Sequence, residues 1–566
     1  MLPLPPPPPA GMGFAMPMFR DWVPKCIQPW IYVLCVFGFQ FSGGMYLGAL
    51  EDIQGSTNFM IEDLMMLLYA NLAGMAIYFP MLFRMKFRFT NQQLIIGSAI
   101  VVSVCNLVTI HTTFMPLLLV VCFIEGMAKL QGTFEHMSNI QLWITPRRDF
   151  AVFFPVLHIV LLTSIEGSAF LAAWFGYHFT WQMMHIFIVG FMCLIMTVQL
   201  VLCRPFCPMP QRLSLKGIDL PSGLLISLLM LVVCYICVYG DYKMWMDSRE
   251  LRILVGVAIL LTGVLIHRLL RVSNPYVDFK IFRLRNVLLI MVVVTVGEFL
   301  FGCEHTLEEI LCAEVLKLEE HTKEELFLWA LPGFYIGIAI DLLWLKVLKW
   351  KVWKLFAIGF GFILAYAMLM YFTLDMGVNI EQFRLPIICR GAAYSILAAT
   401  LMWSLDESVP DLEQFFMGLF VFNIFHMYLA GAAGYGIYTH WFSTFMNDDI
   451  ARYGQQLTLT HINMQQFDFT AFMNSYMPSM MNVAIKQIYG IVIWISSIMT
   501  LLFMVLDIPA VRTNIRKVPM WPVYGIEYLA RLTGKKKRNL RKKKKIIVKR
   551  MVSVKKISKF APNSKE

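Results

Sequence analysis

The stretch 116-PLLLVVCFIEGMAKLQGTFEHMSNI-140 decides how this chain is read. It is an apolar run long enough to cross a bilayer, whose hydrocarbon core takes about 20 helical residues. Yet Glu125 sits inside it, with Lys129 one helical turn on. From Glu125 the small or polar residues step to Lys129, Gly132 and His136, intervals of four, three and four that share one helix face. A charge at mid-bilayer costs about 2.5–3.5 kcal/mol on insertion scales, so such a face turns to protein or to water. Two readings stay open. Either Glu125 faces a water-accessible cavity with Lys129 as its near partner, or the two form an internal pair that locks the helix.

Outward from this stretch, similar runs recur along nearly the whole chain. They predict fourteen spans, at roughly 27–48, 64–84, 93–111, 116–140, 151–174, 182–203, 217–239, 250–270, 286–304, 327–346, 354–374, 384–404, 414–438 and 488–508. The composition agrees: 58% of residues are hydrophobic and 15% charged, against about 25% charged in soluble chains. This is the pattern of a polytopic membrane protein. The opening 1-MLPLPPPPPAGMGF-14 lacks the basic and apolar regions of a signal peptide and reads as polyproline II or disorder.

The loops set the orientation. Basic residues fall on alternate sides: Arg84, Lys86 and Arg88; Arg147 and Arg148; Arg204, Arg212 and Lys216; Arg271, Lys280, Arg283 and Arg285; Lys349, Lys351 and Lys354. The opposite side carries Glu51, Asp52, Glu62, Asp63 and the acidic segment 313-AEVLKLEEHTKEE-325. Both termini are therefore expected inside, at the cell (inner) membrane. The acidic inside loop 405-LDESVPDLE-413 is the exception. Much of the net charge of +12 lies in the tail 535-KKKRNLRKKKKIIVKR-550, which reads as a cytoplasmic segment drawn to anionic lipid and not as a nucleic-acid site. The twelve cysteines are scattered, and 203-CRPFC-207 has no second pair or histidine set to complete a zinc pattern. No HExxH, P-loop or GxSxG occurs in a plausible context, so no enzyme chemistry, metal or cofactor is expected.

Particular loops narrow the class. The segment 217-GIDLPSG-223 opens the seventh span, 240-GDYKMWMDS-248 closes it, and 274-NPYVDFKIFRLRN-286 leads into the ninth. With 145-TPRRD-149, 175-FGYHFTWQMMHIF-187 and 307-LEEILCAEV-315, they resemble the corresponding segments of the fourteen-helix drug:proton antiporters of the major facilitator superfamily, over nearly all of residues 27–508. The chain departs from that pattern in places. The loop 81-MLFRMKFRFT-90 lacks the family's Gly and Asp, 41-FSGGMYLGAL-50 has no carboxylate, the expected Arg of span four falls near Cys122, and the Gly/Pro-rich motif of span five survives only as 164-SIEGSAF-170. Proton coupling is thus not transferable residue by residue.

The resemblance implies an all-α major facilitator fold in which two six-helix bundles rock around a cavity lined by spans one, four, nine and twelve. The implied organisation is a Pro-rich N-terminus (1–26), a first bundle (27–203), a loop and inserted helix pair (204–270), a second bundle (271–508) with an outside loop at 439–487, and a basic tail (509–566). Glu125, Glu298 and Arg390 then lie on cavity-lining helices, and Glu166 and Asp341 on their neighbours. Glu125, Glu298, Glu166 and Asp341 are the proton-coupling candidates. Lys129, His136, Gln40, Ser42 and Arg390 are the substrate or cavity candidates. The expected activity is proton-coupled export of amphiphilic small molecules by alternating access. Its partners would be the substrate, protons, membrane lipids and, for a tripartite system, a periplasmic adaptor and outer-membrane channel. Export of a specific lipid or metabolite, or a non-transporting membrane scaffold, are the alternatives.

Overall fold

A computed structural model describes residues 19–43, 47–145, 149–205, 219–272, 275–277, 281, 285–374, 379–409, 412–459 and 469–505. The proline tract 1–14, Gly44, Arg147 and Arg148, Arg212 and Lys216, most of the 274–286 segment and the basic tail lie outside the described residues, so the expectations placed on them stand only as sequence readings.

The described elements are helical. In chain order they are α1 (Gln28–Phe41), a 3-10 turn (Leu47–Ala49), α2 (Leu50–Ser56), α3 (Ile61–Lys86), α4 (Asn91–His111), α5 (Met115–Ile144), α6 (Phe150–His178) and α7 (Gln182–Leu202). Next come α8 (Leu220–Val238), α9 (Arg249–Arg271), α10 (Arg285–Phe301), α11 (Glu320–Phe327), α12 (Ala330–Leu342), α13 (Trp353–Thr373), α14 (Arg384–Ser408), α15 (Leu412–Ile424), α16 (Ala433–Leu459) and α17 (Phe469–Val505). Thirteen helical runs among the described residues are long and apolar enough to span. The first expected span is not one of them, because α1 stops after 14 residues. Ser42 is extended and Gly43 has a φ of 90°, a left-handed conformation that glycine tolerates without steric cost.

Each bundle is knitted by one close helix crossing. In the first, a Cβ on Gly74 would lie 1.8 Å from the Phe123 carbonyl, and one on Gly126 would lie 1.9 Å from that of Asn71, so α3 and α5 meet backbone to backbone. In the second, Gly333 approaches Ile388 and Gly391 approaches Ala330, giving the same contact between α12 and α14. Lipid offers no hydrophobic drive between helices, so this dense packing supplies the attraction. The bundles then join reciprocally: α6 packs on α12 and α14, and α3 packs on α15.

The pair α8 and α9 sits at the margin. α8 packs on α3 and α16, whereas only 6% of the apolar window of α9 is buried. Arg268 near the end of α9 donates to Asp219 at 2.8 Å and to Ser222 at 3.1 Å, which ties it to the start of α8. Burial pushes the Asp219 carboxyl up, but the Ser222 and Arg268 donors outweigh this and hold it below the ordinary carboxylate range.

Two loop expectations are corrected. The span begun by α10 continues through π-helical turns at Glu304–Glu308 and Leu311–Val315, and the next begins at Glu320, so most of 313–325 is helical and not a loop. Within it Lys323 pairs with Glu309, and just before it Glu308 pairs with Arg390. Likewise, most of 439–487 belongs to α16 and α17, and these two helices pack against each other.

Candidate functional site

The break after α1 delivers the first functional group. Beyond Phe41 the chain turns so that Ser42 Oγ donates to Glu125 Oε1 on α5. The same oxygen accepts from Asn106 Nδ2 of α4 at 2.9 Å. Asn106 Oδ1 in turn accepts from His185 Nδ1 of α7 at 2.9 Å, which fixes the proton on that ring nitrogen. Glu125 is 0% exposed, and its Oε2 accepts no hydrogen bond among the described residues. Among the described residues its hydrogen-bond shell is therefore made of two neutral donors, Ser42 just past α1 and Asn106 of α4.

The expected partnership with Lys129 takes a different form. Lys129 is buried and attracts Glu125 electrostatically, but it makes no ion pair or hydrogen bond among the described residues. Ser42 and Asn106 both take Glu125 Oε1. His136 shares the predicted face, and its contacts lie inside the bundle. It donates from Nδ1 to the Gly132 carbonyl at 2.8 Å, accepts from Gln199 at 3.2 Å and lies against Phe39 and Tyr32. Gln40 donates to Thr133 at 2.9 Å. The stripe thus turns toward α1, α4 and α7, the interior of its own bundle.

The second bundle places its charges otherwise. Arg390 on α14 pairs with Glu308, both 2% exposed at the side chain. Tyr366 of α13 donates to the other Glu308 oxygen and lies 3.0 Å from the Tyr489 hydroxyl of α17. Glu298 on α10 lies 2.8 Å from Nδ1 of His426, in the π-helical stretch Phe425–Ala432 that follows α15. Both are only partly buried, and His158 of α6, in the first bundle, is an electrostatic neighbour of His426. Asp341 on α12 is fully buried, and among the described residues Thr400, at 3.4 Å, is its one donor. Glu166 is half-buried on α6 and is an electrostatic neighbour of Glu324 on α11.

Sequence reasoning missed Asn106, His185, Glu308 and His426. Asn106 and His185 carried a signal, each being a polar residue within an apolar span. Glu308 was hidden in a run read as a loop. A further buried pair, Lys86 with Glu135 at 3.5 Å, also escaped, because Lys86 was read as a loop charge.

No protein-family profile matches the sequence, and no curated protein does. Solved structures do. A POT family peptide transporter in an auto-inhibited form is 11% identical, with 86% of this chain and 98% of that one covered and a TM-score of 0.50. A peptide transporter POT in complex with sulfate is 11% identical, with coverage of 84% and 94% and a TM-score of 0.53. The nucleoside transporter NupG is 10% identical, with coverage of 84% and 99% and a TM-score of 0.51. Identities this low speak to the fold alone: the chain is an all-α, multi-pass membrane protein whose fold is shared by these transporters over 84–86% of its length.

Proposed function

We propose that the protein is a secondary active transporter that moves amphiphilic small molecules outward against proton entry by alternating access, with both termini in the cytoplasm. The observation that carries this reading is Glu125, a fully buried carboxylate whose hydrogen-bond donors are neutral. A buried ionised carboxylate without a paired cation is costly, whereas its protonated form is not. Glu125 therefore binds a proton when sealed and releases it when the bundle opens to water. An inward proton gains about 2.3 kcal/mol per 100 mV. The partly open Glu298–His426 pair, with His158 nearby on the other bundle, is the contact for a cationic substrate group. Asp341, Glu166 and Arg390 support these helices. The resemblance of the loops to the drug:proton antiporters favours drugs as substrates.

In inverted vesicles acidified inside, adding a transported lipophilic cation should dissipate the pH gradient, and protonophore should abolish substrate flux. Flux indifferent to protonophore would overturn proton coupling. A narrower reading, transport of one metabolite class, is favoured by neighbours whose names specify peptides and a nucleoside. Competition by peptides or nucleosides, and none by lipophilic cations, would select it.

A further inference from the structure

At one end of the molecule the two bundles meet through an excess of carboxylates. The Glu51 backbone N–H, on α2 of the first bundle, donates to Glu320 Oε1 on α11 of the second at 2.9 Å. Lys323, 1% exposed, lies 2.7 Å from Glu309 and 3.8 Å from Glu320. Glu324 is 3% exposed and makes no hydrogen bond or ion pair among the described residues, and Glu320 Oε2 is buried without a partner. From α6 of the first bundle, Glu166 bears on Glu324 electrostatically, and Glu51 and Asp52 bear on Glu320. His178 of α6 packs on His321 with ring centroids 6.1 Å apart, and Glu314 adds another acid near Glu51. Lys323 is the one lysine or arginine among these facing groups.

We propose that this contact is a proton-binding site shared by the two bundles: it closes when the Glu320–Glu324 carboxylates, facing Glu166 and Glu51, take up a proton, and it opens when they lose it. Like charges brought together in a desolvated contact cannot all stay ionised. One ammonium against several carboxylates leaves a surplus that a proton neutralises. Glu51, outside the spans, shows the same tendency: burial pushes its carboxyl up despite the pull of Lys323. The inference rests on the alternating-access reading but not on Glu125.

The test is a distance. Fluorophores at exposed Ile61 (start of α3) and Leu385 (start of α14) report the gap at this end, with exposed Cys26 and Cys193 changed to Ser. In nanodiscs without substrate, the closed-to-open ratio should fall about tenfold per pH unit through the titration, the slope for one proton. Glu320→Gln with Glu324→Gln should stay closed and lose the slope. Glu166→Gln, on the other bundle, should move the midpoint to lower pH because a negative neighbour is gone. A pH-independent ratio, an unchanged slope in the double variant or an unmoved midpoint in Glu166→Gln each overturns the proposal. None of these readouts involves flux, so failure here is distinct from failure of proton-coupled transport.

Discussion

The two bundles solve one geometric problem with different chemistry. In each, the first helix loses α-regularity beside a buried charge on the fourth. In the first bundle α1 stops at Phe41, and Ser42 turns onto Glu125 of α5. In the second α10 gives way to π-helical turns, and Glu308 turns onto Arg390 of α14. The first junction holds its acid with a hydroxyl and an amide. The second holds its acid with a guanidinium and a tyrosine. Neutral donors serve a carboxylic acid in either protonation state, whereas a guanidinium commits its partner to the charged one. The proposed coupling role therefore falls to the first junction and not to the second.

That contrast sets the size of what each substitution does. The largest effect is expected from Arg390→Met, which leaves the Glu308 charge buried with its guanidinium removed. Breaking such a pair costs about 3–5 kcal/mol, to be seen as a collapse of Tm in detergent or as loss from the membrane. Adding Glu308→Gln should recover much of it, and failure to recover would show that Arg390 does more than pair. Next in size are the helix crossings. Gly126→Ala and Gly391→Ala each drive a methyl into a carbonyl at 1.9 and 2.3 Å, and overpacking costs about 1–3 kcal/mol in each bundle. A loss in one bundle and none in the other would break the equivalence of α3–α5 and α12–α14.

Smaller still is Glu125→Gln. The amide keeps the acceptor that Ser42 and Asn106 use, so the expected stability change is below about 1 kcal/mol. Should the protein unfold, Lys129 needs the charge. In that case Glu125→Gln with Lys129→Met should restore both stability and transport, and Glu125 would be structural. The smallest effect belongs to the α8–α9 tie. Arg268→Gln at a partly exposed pair should cost about 0–1 kcal/mol. Because the Asp219 carboxyl is held low in the folded protein, its contribution is complete above the ordinary carboxylate pKa of about 3.9 and is lost as pH falls through the lower folded value. The Tm gap between wild type and Arg268→Gln should therefore be level from neutral pH down to about 4 and close only in stronger acid.

The spans were legible from hydropathy because the bilayer imposes one length on every crossing, and the Glu125–His136 stripe was legible because 3.6-residue periodicity survives burial. What the stripe faces was not. Glu125 meets Ser42, 83 residues away, and Asn106, 19 away, and hydropathy carries no information on which helix lies opposite. Span nine ended too early in the sequence reading because Glu304, Glu308 and Glu309 lower its hydropathy. Only the structure shows Arg390, 82 residues on, taking up Glu308. The same blindness made a loop of 313–325, where Lys323 and its glutamates are buried together.

The central claim is that Glu125 carries the coupling proton and does not hold the fold. Its most direct test is Glu125→Gln in proteoliposomes, comparing gradient-driven accumulation of a lipophilic cation with substrate exchange at equal pH on both sides. The account predicts that accumulation is lost while exchange persists at near wild-type rate, since exchange cycles the loaded carrier without net proton movement. Accumulation at the wild-type level would contradict it outright, and loss of both from a well-folded protein would place Glu125 in substrate binding instead.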